Sequence, residues 1–191
     1  ERSLLLLSSW HFTNIYKEYA LKPVLVGVRN GKKYQKRLLV TTDNSATIES
    51  VKTGQIASAS SVQHTRSTLK EILKDKDTGE DLKILIVPKD LDALMSVGFG
   101  MVKLALITEN SLDQLKTVNS PLYSKMRVLA ESEESLLLIA AVPKSFAKDA
   151  GELINIIQQM STNPEGKGKI KLLGFDDWQT LDLMDEAKLE G

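Results

Sequence analysis

The run Gln55-Ile56-Ala57-Ser58-Ala59-Ser60-Ser61-Val62-Gln63-His64-Thr65-Arg66 joins a small apolar stretch to a helical pattern through adjacent hydroxyls. That order of residue types can hold an oxyanion. Ser60 or Ser61 can cap the helix, whose apolar positions Val62, Leu69, Ile72 and Leu73 recur at helical spacing. The first-turn N–H groups lack intrahelical partners, and with the positive end of the helix dipole they suit a phosphate-like group at a strand end. Thr65, one turn on, can reach the same anion or bond back to its own helix. His64 can line such a site or lie exposed. Serines that cap a helix and bind nothing are the plain alternative.

Ser8 and Ser9 repeat the pattern at the end of Leu4 to Ser8, just before Trp10 and His11. Glu109, after Ile107-Thr108 at another strand end, can orient a ligand hydroxyl or amine, although Thr108 or Asn110 capping a following helix is simpler. Catalysis finds no support. The chain has no cysteine, no histidine beside a serine in an elbow motif and no paired acids at catalytic spacing. His11 and His64 lie too far apart in sequence to suggest metal-ligand spacing, so neither a metal site nor a cofactor is expected.

Lys and Arg total 25 and Asp and Glu total 25 in 191 residues, so the net charge gives no reason to expect nucleic acid as a partner. An apolar content of 42% suits a folded globular chain of one domain or two small lobes. Leu4 to Leu7 is far short of the roughly 20 residues that span a bilayer.

The elements that must position these groups read as α/β. Strands are expected at Leu4 to Ser8, Val24 to Val28, Arg37 to Thr42, Gln55 to Ala59, Lys83 to Val87, Leu104 to Thr108, Arg127 to Glu131 and Leu136 to Val142. Helices are expected at Trp10 to Ala20, Val62 to Leu73, Asp90 to Val97, Ser111 to Lys116 and Phe146 to Met160. Most of the strands are continuously apolar, as in a sheet covered on both faces. Asn30-Gly31 predicts a hairpin turn that pairs Val24 to Val28 antiparallel with Arg37 to Thr42. Gly98 or Gly100 is expected to turn the chain left-handed after a helix. Asp75 to Asp81 reads as a solvated connection, Asp176-Asp177 as a turn, and Asp182 to Gly191 as frayed.

Four segments in this order carry a family likeness: Trp10 to Asn30, with Lys22-Pro23-Val24-Leu25 and Arg29-Asn30-Gly31; Ile48 to Arg66; Val87 to Glu109; and Asn163 to Trp178, with Leu173-Gly174-Phe175. The chain resembles the substrate-binding proteins of phosphate, phosphite and phosphonate ABC importers, a branch of the type II periplasmic-binding-protein fold. The resemblance implies two α/β lobes with the ligand in a cleft between them. It places 1–47 in lobe I and the first crossing, 48–129 in lobe II, and 130–191 in the second crossing and the return to lobe I. It matches Ser60 and Ser61 to the hydroxyl-bearing turn at the second-lobe helix, and Thr65, His64, Ser8, Ser9 and Glu109 complete the expected ligand-binding set.

Two departures bear on that picture. A strand-helix-strand-helix unit that relatives carry ahead of this start is missing, so an incomplete lobe I with an exposed apolar sheet edge is expected, and with it pairing of two copies. Lys103-Leu104 stands where many relatives have an acidic pair, which argues against an aminoalkylphosphonate; Lys103 either adds an anion contact or is a solvated lysine at a strand start. The resemblance implies a non-enzymatic, extracytoplasmic or periplasmic protein, with or without a lipid anchor, that hands a small oxyanion to an ABC permease. The alternatives are the ligand-sensing input domain of a sensor or regulator, and a shortened interaction module.

Overall fold

The computed structural model describes residues 2–74 and 82–190, so the connection Asp75 to Asp81 lies outside the described residues. In chain order the elements are β1 (Leu5–Ser8), α1 (Ser9–Ile15), β2 (Leu21–Val28), β3 (Tyr34–Gln35), β4 (Arg37–Thr41), α2 (Ser50–Thr53), β5 (Gln55–Ser58) and α3 (Val62–Leu73). There follow β6 (Lys83–Ile86), α4 (Asp90–Gly98), β7 (Leu104–Thr108), α5 (Glu109–Val118), α6 (Ser120–Tyr123) and β8 (Arg127–Glu131). The chain ends with β9 (Ser135–Leu136), β10 (Leu138–Pro143), α7 (Gly151–Gln159), α8 (Pro164–Leu172), β11 (Asp177–Gln179) and α9 (Leu183–Glu190).

Two compact units form, residues 1–34 with 135–191, and residues 35–134. The chain passes from one to the other at 34/35 and back at 134/135, where β3 and β9 pair. The second passage lies within the stretch 130–191 expected to hold the second crossing, and the first comes ahead of β4, inside the stretch 1–47 expected to hold lobe I and the first crossing. The physical reason is β4: it pairs antiparallel with β7 and with β8, which commits residues from Arg37 onward to the second unit. The hairpin expected between Val24 to Val28 and Arg37 to Thr42 is corrected. Asn30 and Gly31 do turn left-handed (φ 51° and 75°) and Arg29 bridges Lys32, but β2 and β4 then enter different sheets.

In the first unit the strand order is β1-β10-β2-β11, antiparallel throughout. Alternation along β2 sends Val26 to one face, with Phe12, Ile139 and Leu189, and Leu25 to the other, with Ile157, Ile170, Phe175 and Trp178. α1 and α9 therefore cover one face, and α7 and α8 the other. α9 is a correction: the expected frayed tail is a helix with Asp185 and Leu189 buried. Asp177 opens β11 where Asp176-Asp177 was expected as a turn, and α1 stops at Ile15 instead of running to Ala20, which has φ 46°.

The second unit is built on the order β6-β5-β7-β4-β8, with β6, β5 and β7 parallel. Leu39, Ile56, Leu104 and Leu106 pack on the face under Leu69 of α3, while Leu38, Val40, Ala57, Ala105 and Ile107 meet Ala93, Leu94 and Leu115 of α4 and α5 on the other. Both faces are covered, as the continuous apolar runs required. Gly100 (φ 71°), after α4, is the left-handed residue that lets the chain turn into β7.

Candidate functional site

Because β5, β6 and β7 run parallel, their carboxyl ends lie at one end of the sheet, and α3, α4 and α5 all start there. The open end of such strands is where α/β sheets hold ligands. The three helix starts differ in charge. α4 has Asp90 and Asp92 in its first turn and α5 has Glu109, whereas α3 has no acidic residue there. Of the three, the start of α3 is the one whose dipole favours an added anion.

The α3 turn is fixed by a chain of hydroxyls. Ser61 is the N-cap, and its Oγ accepts from the His64 N–H at 3.3 Å. Ser58, buried at the end of β5, accepts from the Ser60 N–H at 3.2 Å and from Thr65 Oγ1 at 3.0 Å. Thr65 is itself fully buried. Its hydroxyl donates to Ser58 and, at 3.5 Å, back to the Ser60 carbonyl, and so secures the turn. Ser61 is exposed, Ser60 and His64 partly so, leaving these three at the surface of the turn.

At the neighbouring helix starts an acidic side chain already takes several of the donors. The Asp90 carboxylate accepts from the Thr108 N–H and Oγ1, each at 2.8 Å, and from Ser111 Oγ at 3.1 Å. Glu109 is the exposed first residue of α5, and its N–H donates to the Lys36 carbonyl. Sequence reasoning missed Ser58 and Asp90. Ser58 was hidden inside an apolar run, and Asp90 was visible only as the start of the helix expected at Asp90 to Val97.

Ser8 and Ser9 sit in the first unit. Ser8 is the N-cap of α1, and its Oγ lies 3.3 Å from the His11 N–H and 2.8 Å from the His11 ring Nδ1. Trp10 packs edge-on against that ring and is not part of the buried core. Lys103 lies before β7, at the amino end of the strand, 75% exposed and 3.8 Å from Asp43. It borders an open depression of about 490 Å³ lined by Asp43, Ser45, Gly54 and Met101, at the opposite end of the sheet from Ser61. Lys103 is thus a solvated lysine, the simpler of its two expected roles.

A family model for the periplasmic substrate-binding protein of phosphonate ABC transporters matches residues 3–186. The chain belongs to this family. Among solved structures, a Xanthomonas citri protein bound to chloride ion superposes with a TM-score of 0.76 at 11% identity, covering 98% of this chain and 74% of that one. A binding-protein component of an ABC phosphonate transporter from Pseudomonas aeruginosa gives 0.70 at 10%, covering 95% and 64%. A Prochlorococcus marinus protein in complex with methylphosphonate gives 0.67 at 10%, covering 98% and 75%. These likenesses establish the type II periplasmic-binding fold that the residues implied. No curated protein sequence matches the chain.

This phosphonate-binding-family member is therefore a solute-binding protein of the ABC-transporter class. Its family is one of periplasmic binding proteins, not enzymes, that work with ABC permeases. Among the described residues no helix is long and apolar enough to cross a membrane, and no three His, Cys, Asp or Glu side chains gather as a metal site would need.

Proposed function

We propose that the protein captures a phosphonate- or phosphate-type oxyanion on the α3 end of its second unit and delivers it to an ABC importer outside the cytoplasm. The observation that carries this reading is the start of α3: a twelve-residue helix at the carboxyl end of a parallel strand, capped by Ser61 and without an acid in its first turn. Ser60, Ser61 and His64 are the proposed ligand-facing residues there, with Ser8, Ser9 and Glu109 as further candidates. Charge-assisted hydrogen bonds are worth about 1.5–3 kcal/mol each, so two or three anchor a dianion.

Isothermal titration with methylphosphonate, phosphate, phosphite, sulfate and L-arginine tests it. Binding of one phosphorus oxyanion in preference to sulfate and arginine is expected, with stabilisation of about 2.7 kcal/mol at a hundredfold excess over Kd. Binding of arginine alone, or of nothing, rejects it. Light scattering on the same samples tests pairing along β1, an edge strand with Leu6 42% exposed.

A further inference from the structure

Arg37 opens β4 directly opposite Thr108, the last residue of β7. Its main chain is fully engaged, because Ser132 Oγ accepts from its N–H and the Ser132 N–H donates to its carbonyl. Its guanidinium is different. Among the described residues it makes no hydrogen bond and no ion pair, although five donors in a planar fork suit a two-oxygen acceptor. Burial presses the guanidinium below its ordinary pKa and the nearby Asp90 carboxylate opposes this, but an arginine keeps its charge. Asp90 is not its acceptor at contact distance: no hydrogen bond or ion pair joins the two side chains, and the Asp90 Oδ2 takes Thr108 and Ser111.

The register says where this residue lies. Leu38 and Val40 pack on the α4 and α5 face and Leu39 on the α3 face, so alternation starts the Arg37 side chain on the α3 face, at the rim of the sheet where its partner Thr108 meets Asp90 and Ser111. Leu39 is level with Leu106, and Leu106 with Ser58, which places Arg37 two residues beyond the level of Ser58 at the same end of the sheet. β7 alone separates β4 from β5, a spacing of about 10 Å between their axes. A partly buried cation with idle donors thus shares a face and an end of the sheet with the hydroxyl turn.

We infer that Arg37 is a ligand-contacting, specificity-determining residue that pairs in bidentate fashion with two oxygens of the bound oxyanion. The inference rests on the proposed oxyanion function and adds to it a residue and a charge requirement: the acceptor must present two anionic oxygens side by side. Asp90, close by and negative, disfavours ligands that lack sufficient charge to compete.

The test is titration of methylphosphonate into the full chain and into Arg37→Met, Arg37→Lys and Asp90→Asn, with the melting temperature of each recorded without ligand. Arg37→Met is expected to weaken binding about 10- to 100-fold. Arg37→Lys should fall between, because a lysine offers charge without the fork, and Asp90→Asn should bind at least as tightly as the unaltered chain. If Arg37→Met fails to fold, Arg37→Lys decides: weaker binding at an unchanged melting temperature supports the contact. Affinity unchanged within twofold in the folded variants overturns it while leaving the oxyanion function standing. Absence of methylphosphonate, phosphate and phosphite binding by the unaltered chain removes both.

Discussion

The two units use the same local device in different settings. In each, a strand leads into a helix capped by a serine, the last residue of β1 in one and three residues past the end of β5 in the other, and that serine accepts at 3.3 Å from the N–H of a histidine three residues on: Ser8 with His11, Ser61 with His64. In the first unit the strand is β1, at the edge of an antiparallel sheet, the helix has seven residues, and the His11 ring also engages the serine hydroxyl. In the second the strand is interior and parallel, the helix has twelve residues, and a buried Ser58–Thr65 pair braces the turn from below. A capping serine thus becomes a promising anion site through the strand beneath it, not through its own sequence.

The units also differ in where they place buried polar groups. The second spreads buried hydroxyls over strand ends and helices, among them Thr41, Ser58, Thr65, Thr68, Ser96 and Ser111. The first gathers them around Asp185, which takes Lys33 Nζ at 2.6 Å and the Tyr34 hydroxyl and tethers α9. Removing one member of a buried charged cluster strands the others, so Asp185→Ala should cost about 3–5 kcal/mol in urea unfolding. A loss below 1 kcal/mol would mean that α9 is held by Leu189 alone.

The same cluster sets a pH signature. Burial pulls the Asp185 carboxyl upward, but hydrogen bonds from Lys33, Tyr34 and the Asp182 N–H outweigh it and hold the group below its ordinary range. Tyr34 is pushed up to about 12, chiefly by its hydrogen bond to Asp185 and then by burial. A depressed carboxyl contributes stability above its unfolded value near 3.8, lost as pH falls through the folded value. A raised phenol contributes below its unfolded value near 10.0, and that contribution is lost as pH rises toward 12. Unfolding free energy of the unaltered chain should therefore fall at both extremes, and Asp185→Ala should flatten both limbs. An unchanged alkaline limb would detach Tyr34 from the cluster.

Edge and interior can be separated by truncation. Leu106, fully buried in β7 beneath α3, should lose about 2–5 kcal/mol as alanine, whereas Leu6 on β1, 42% exposed, should lose about 0.5 kcal/mol or less. Comparable losses in urea unfolding would show that β1 is covered in solution, and the contrast between the two settings would weaken.

What was legible follows the range of the forces. β7, β8 and α3 were readable to the residue because apolar runs and helical spacing act locally. The Asn30-Gly31 turn was readable too, but the separation of β2 from β4 depends on which distant strands each one meets. β11 and α9 hid behind acidic residues whose partners, the Asn30 N–H for Asp176 and Lys33 for Asp185, lie about 150 positions away. At the candidate site the Ser61 cap was readable, while Thr65 changed meaning once Ser58 was found beneath it. Arg37 drew no notice, since a charged residue at a strand start looks solvated until the register sets it beside Thr108.

The smallest stability effect gives the sharpest comparison. Ser8→Ala and Ser61→Ala each remove one capping acceptor, and each should cost about 1 kcal/mol. In unfolding the two variants should be nearly indistinguishable. Ligand binding separates them, because a cap that serves only its helix loses stability alone, whereas a hydroxyl facing an oxyanion loses affinity as well. Ser61→Ala should weaken methylphosphonate binding about tenfold or more, by loss of a charge-assisted bond. Ser8→Ala should weaken it less, since the Ser8 hydroxyl already has the His11 ring as a partner. Equal losses of affinity would place both turns at the ligand on the same footing, and the interior strand would no longer account for the difference between them.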